Sequence, residues 1–248
     1  MKINSTRETS GQLPGGDLAL LRDLIRRIES GSRQSRRSKF IPSGLPRLDA
    51  TLPDGGLPTG TLAEILYQEQ GTGALSLAVR WTQQALIGGG HAVFVESPET
   101  NDALYPPALV QAGLPVERIV VIRPDSRRDA IWACDQSLRC GGVSAVVVRY
   151  GGFRHLHARV WRLFQLAAEA GEGIGLILRA CGEVPVAGTF ATTRLLVERA
   201  GRIRVLRTRE GMPVESFVVD ISDEAGDVPL HAAGGGRATR EPRRLALG

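Results

Sequence analysis

From Phe40 onward, short apolar runs rich in β-branched residues alternate with longer stretches whose apolar positions recur every three to four residues. TLAEIL, HAVFVE, RIVVI, VSAVVV and IGLILRA are of the first kind. ALSLAVRWTQQAL, a proline-started stretch near Pro107, SRRDAIWACDQSLRC and HARVWRLFQLAAEA are of the second. Strands separated by helices of this length need crossover connections. The pattern therefore predicts an α/β fold, a mostly parallel sheet with helices on both faces. Further on, TTRLLVERA, GRIRVLRTRE and VESFVVDIS follow one another through short turns such as Ala200-Gly201 and Gly211-Met212-Pro213. They are expected to pair antiparallel at the C-terminal edge of the sheet.

The two ends differ from this core. After a polar start, DLALLRDLIRRIES spaces Leu18, Leu21, Leu24, Ile25 and Ile28 as one face of an amphipathic helix, with Asp17 as its N-cap. GSRQSRRSKF, which contains Arg36 and Arg37, reads as a basic linker, either a solvated tether or a phosphate- or partner-contacting arm. Beyond Ser222 no period survives, and 223–248 reads as a disordered basic tail. The expected division is thus 1–39, 40–222 and 223–248, with one domain at its centre and no internal repeat.

Composition narrows the function classes. No run approaches the roughly 18 apolar residues of a membrane span, and Met1 is followed by polar residues rather than the apolar centre of a signal peptide, so a cytoplasmic protein is expected. Cys134, Cys140 and Cys181 lack metal-ligand spacing and read as reduced core residues. His155 and His157 would not share a helical face, which argues against a metal pair. Trp81, Trp132 and Trp161 fall in apolar helical patterns and are expected to pack helices onto the sheet. The net charge of +5 permits an acidic or nucleic-acid partner. Arginine supplies nearly all of the positive charge: Lys2 and Lys39 are the only lysines.

The ordered segments SGLPRLDATLPDGGLPTGTLAEIL, VFVESPET, LPVERIVVIRP, VSAVVVRY and GIGLILRA resemble the RecA core over roughly Ile41 to Ile221. The resemblance implies a phosphate loop after the first core strand, G-x-x-x-x-G-K-S/T, in which backbone N–H groups wrap phosphates, lysine neutralises them and the hydroxyl holds magnesium. Here that turn reads YQEQGTGALS, and the residues in its place are Glu69, Gln70, Gly71, Thr72, Gly73 and Ala74. It has no cation, and no lysine follows Lys39 to supply one. The strand that should end in a magnesium-holding aspartate instead runs into Arg149, which inverts the charge at the metal position. Glu96 and Glu99 stand where the resemblance implies a catalytic glutamate, and either also reads as a solvated loop acid. The strand IGLILRA ends in Arg179 and Ala180 where the resemblance implies a nucleotide-sensing amide, and the segments in place of the two DNA-binding loops are short. The expectation is a core without ATP chemistry, with no cofactor and no metal.

A RecA-like core with an added N-terminal helix, a degenerate phosphate loop and a basic tail resembles the ImuA family, accessories of SOS-type, damage-induced translesion mutagenesis. That resemblance implies a nucleoid-associated adaptor working beside an ImuB-like polymerase adaptor, an error-prone replicative-type polymerase and RecA, with DNA as a further contact and no membrane. Candidate contact residues are Leu21, Leu24 and Ile28 on the helix, Arg36 and Arg37 in the linker, Arg202, Arg204 and Arg207 on the terminal strands, and Arg243 and Arg244 in the tail. The strand arginines read equally as a charged edge that discourages aggregation and as a surface for phosphates or an acidic partner. Two rival readings stay open. One is a residual ATP-dependent RecA paralogue that uses Arg80 or Arg149 as its cation; the other is a SulA-like cell-division inhibitor binding the tubulin-like ring protein.

Overall fold

A computed structural model describes residues 39–68, 71–98, 103–150, 156–181, 189–199, 202–208 and 217–220. All of them belong to one unit that begins at Lys39. The expected N-terminal helix, the basic linker and the tail lie outside the described residues, as do the turns at 200–201 and 211–213.

In chain order the elements are β1 (Phe40–Ile41), α1 (Pro46–Asp49), β2 (Leu57–Pro58), β3 (Thr61–Tyr67), α2 (Ala74–Ile87), β4 (His91–Glu96), α3 (Pro106–Gln111), β5 (Ile119–Ile122), α4 (Arg127–Arg139), β6 (Val143–Tyr150), α5 (Ala158–Gly171), β7 (Ile174–Ala180), β8 (Thr193–Val197), β9 (Arg202–Arg207) and β10 (Phe217–Asp220). An eight-stranded sheet runs β10-β9-β8-β3-β7-β6-β4-β5, and β1 and β2 form a small antiparallel pair of their own. Strands β8, β3, β7, β6, β4 and β5 are mutually parallel, whereas β9 and β10 are antiparallel to their neighbours. The mostly parallel α/β expectation therefore holds, and so does the antiparallel pairing of the three terminal strands, β8 with β9 and β9 with β10, at the sheet edge. The pattern did not specify how β8 joins the rest of the sheet: it lies parallel on β3. The cause is the connection. The chain between β7 and β8 crosses over β3, so β8 arrives in the direction of the block it joins.

Alternation along each strand divides the apolar side chains between two cores. Ala63, Ile65, Phe94, Val147, Leu176, Leu178 and Leu195 face α2, where Trp81 is fully buried. Leu62, Val93, Val95, Val146, Val148 and Ile177 face α4 and α5, where Trp161 and Phe164 are fully buried. Burial on both faces is why these strands read as continuous apolar runs. The SGLPRLD segment closes on itself: the Asp49 carboxylate accepts from the backbone N–H and hydroxyl of Ser43, each at 2.7 Å, and from the Gly44 N–H at 3.2 Å.

Two expectations about single residues are overturned. Trp132 does not pack α4 onto the sheet but is 64% exposed, because the buried stripe of α4 is Ala130, Ala133, Cys134 and Leu138, which leaves Trp132 on the opposite side. Cys140 is not a core residue: it stands exposed at the C-cap of α4, whereas Cys134 is buried and Cys181 half-buried. Among the described residues no helix is long and apolar enough to cross a membrane.

Candidate functional site

The turn from β3 into α2 stands where the phosphate loop was expected. Gly73 caps α2 at φ 93°, and Gly71 has φ 81°, a left-handed conformation that favours glycine. Gly73 offers no capping side chain, and its carbonyl accepts the first helical bond from Leu77 at 2.9 Å. The first turn of α2 then carries Ala74, which is buried, Leu75, which packs on the core, and Ser76. The backbone path of a loop-to-helix turn is kept, without a cationic side chain in that helical turn. Glu69, Gln70 and Glu99 lie outside the described residues.

Further along the sheet, Glu96 at the end of β4 and Arg149 near the end of β6 are register partners. Arg149 Nη1 lies 2.8 Å from Glu96 Oε1, and Arg123 Nε, just after β5, lies 2.8 Å from Oε2. The Leu104 N–H also donates to Oε1, and Arg123 Nη2 donates to the Leu104 carbonyl at 2.8 Å. Parity places this group on the α2 side of the sheet, since Phe94 and Val147, two residues before Glu96 and Arg149, line that core. The Glu96 side chain is only 5% exposed. Burying a carboxylate that deeply needs compensation, and two guanidinium groups and a backbone N–H supply it. Both oxygens of the candidate catalytic glutamate are engaged, one of them by the residue at the candidate metal position. Among the described residues there is no cluster of three His, Cys, Asp or Glu side chains with the geometry to hold a metal.

A second ionic group was not foreseen. Glu64, in the middle of β3, is fully buried on the α4 and α5 face, between Arg179 of β7 and Arg194 of β8. Arg179 Nη1 donates to Glu64 Oε1, and Arg194 Nε stands 2.9 Å from Oε2. Thus Arg179, at the expected nucleotide-sensing strand end, is tied inward to the sheet. Burial pushes the thiol of neighbouring Cys181 up, an effect that Arg194 and Arg179 oppose. The available signal was the glutamate inside the otherwise apolar run TLAEILY, since a charge there must be paired.

The terminal-strand arginines split. Arg204 is within 3.2 Å of Glu198, Arg207 donates to the Thr189 carbonyl at 3.1 Å, and Arg202 is exposed. Arg202 and Arg204 share a face, as their spacing predicts, and Arg207 takes the other parity. Leu21, Leu24, Ile28, Arg36, Arg37, Arg243 and Arg244 lie outside the described residues.

The model of the RecA N-terminal domain matches residues 25–151, just over half of the chain. The chain belongs to this RecA family. The match stops at the end of β6 and so takes in the α2 turn, Glu96 and Arg149, while β7 to β10 lie beyond it. Protein RecA of Symbiobacterium thermophilum is 34% identical over 119 residues, 48% of this chain and 33% of that protein. Protein RecA of Francisella tularensis subsp. novicida is 35% identical over 108 residues, 44% of this chain and 29% of that protein. The chain thus spans about a third of the length of the curated relatives it matches.

Proposed function

We propose that this RecA-family chain is a non-catalytic accessory of the DNA damage response, an adaptor in SOS-type, error-prone translesion synthesis of the ImuA kind. Its partners on this reading are an ImuB-like polymerase adaptor, an error-prone replicative-type polymerase and RecA, with DNA as a further contact. The observation that carries the non-catalytic part is the Glu96–Arg149 ion pair. A guanidinium beside Glu96 repels a divalent cation where phosphoryl chemistry needs one, and it occupies the carboxylate needed to orient a water. The α2 turn adds no cation to hold phosphates. The relatives are RecA proteins, which supports a role in DNA repair or recombination; the amphipathic pattern of residues 17–30 and the arginine-rich C-terminal sequence support the narrower adaptor assignment.

The test is thermal. A ligand that binds only the native state raises the melting temperature by mass action. Millimolar magnesium-ATP is expected to leave it unchanged, and a clear rise would restore the ATP-dependent paralogue. A pull-down with an ImuB-like adaptor, RecA and the tubulin-like division protein as prey tests the partners. Retention of the first two is expected, and capture of the division protein alone would replace this assignment.

A further inference from the structure

The outer surface of α4 and α5, remote from the nucleotide turn, carries a side-chain set that the fold does not use. The two helices pack side by side on one face of the sheet, and a Cβ added to Gly171, at the end of α5, would meet the Leu138 carbonyl, near the end of α4, at 2.0 Å. Both helices return between parallel strands and so run in the same direction. Counting back from that contact at about 1.5 Å per residue, Trp132 and Leu166 stand at one height and Arg128 and Arg162 at another. Trp132 is 64% and Leu166 41% exposed, and Arg128, Arg159 and Arg162 are exposed beside them.

None of these three arginines has an ion-pair partner among the described residues. The nearby acids are engaged elsewhere: Asp129 accepts from the Ser126 cap, Asp135 holds Arg139, and Glu169 accepts from Gln165. A scattered exposed leucine is ordinary, whereas a tryptophan set among arginines has the composition of an interface anchor. A single ring gives no series of stacking platforms for bases, and the adjacent leucine has no use for a phosphate. Guanidinium groups pair with carboxylates through two parallel bonds.

We propose that this face docks an acidic protein segment. An apolar side chain of that segment packs on Trp132 and Leu166, and its carboxylates pair with Arg128, Arg159 and Arg162. The surface is separate from the nucleotide turn, so its failure would leave the reading of that site untouched.

Trp81 and Trp161 are fully buried, so acrylamide quenching of the full chain reports on Trp132. The probe is a fluorescein-labelled synthetic peptide of glutamates with leucines at helical spacing. A glutamine-for-glutamate version and a single-stranded oligothymidylate serve as comparisons. The acidic peptide is expected to protect Trp132 from quenching and to lose affinity as salt rises. By anisotropy, Trp132→Ala is expected to weaken the acidic peptide about tenfold or more, as is the combined Arg128→Ala, Arg159→Ala, Arg162→Ala variant, with melting temperatures unchanged. Equal binding by the variants, equal binding of the glutamine peptide, or no protection at all would overturn the proposal. So would protection by the oligonucleotide alone, which makes this a nucleic-acid face, or protection that grows with protein concentration alone, which makes it a contact between copies.

Discussion

Glu96 holds three donors from three parts of the chain, and its removal and the removal of its partners have unequal consequences. Arg149→Met leaves Glu96 buried with one guanidinium the fewer. The expected loss is about 3 kcal/mol, read as a lower urea midpoint at unchanged slope. Adding Glu96→Gln to Arg149→Met should recover part of that loss, because the stranded charge goes with it, and a double-mutant cycle measures the coupling. Additive losses would mean that the pair does not act as a unit. The cysteines separate in the same way by position. Burial, with Asp135 beside it, pushes the Cys134 thiol up, whereas Cys140 is exposed at a helix end. In the native protein an alkylating reagent should modify Cys140 quickly and Cys134 only after unfolding, as mass spectrometry of the labelled peptides would record.

At the scale of elements, close packing of α4, α5 and β7 depends on missing side chains. A Cβ at Gly175 would meet Leu62 Cδ2 at 2.5 Å and Leu138 Cδ2 at 3.1 Å, and one at Gly171 would press on the backbone carbonyl of Leu138. Gly175→Ala has flexible leucine ends to displace and should cost on the order of 1 kcal/mol, while Gly171→Ala must push two helices apart and should cost more, about 3 kcal/mol. Equal thermal shifts for the two variants would contradict that ranking. Most of this architecture was legible in the sequence, since strands buried on both faces and helices buried on one give distinct periods. The direction of β8 was not, because TTRLLV has the same pattern whether its neighbour runs parallel or antiparallel. The exposure of Trp132 was hidden for a related reason. Residue type favoured the core, but the phase of the helix is set by Ala130, Ala133, Cys134 and Leu138, small residues whose apolar signal is weak beside that of a tryptophan. At the site, the arginine at 149 was readable from one strand alone. Its pairing with Glu96, and that of Glu64 with Arg179 and Arg194, needed the strand order, which no local pattern encodes.

At the scale of the whole molecule, the core and the chain ends are expected to separate in experiment. Deleting Gly226–Gly248 should weaken binding to partners or DNA without lowering the melting temperature, as parallel affinity and calorimetry measurements would record. Unchanged binding would remove the tail from the interaction. The order of the sheet has a consequence for how the protein is made. Strand β3, the first of the parallel block to leave the ribosome, lies between β7 and β8, and neither β4 nor β6 touches it. A nascent chain that has emerged only to residue 151 holds the family-matched half yet gives β3 no neighbour, and it leaves Glu64 without either arginine. Synthesis must pass Val197 before that strand has both of its neighbours. Until β7 emerges with Arg179, an apolar segment carrying an uncompensated acid is exposed to chaperones and proteases.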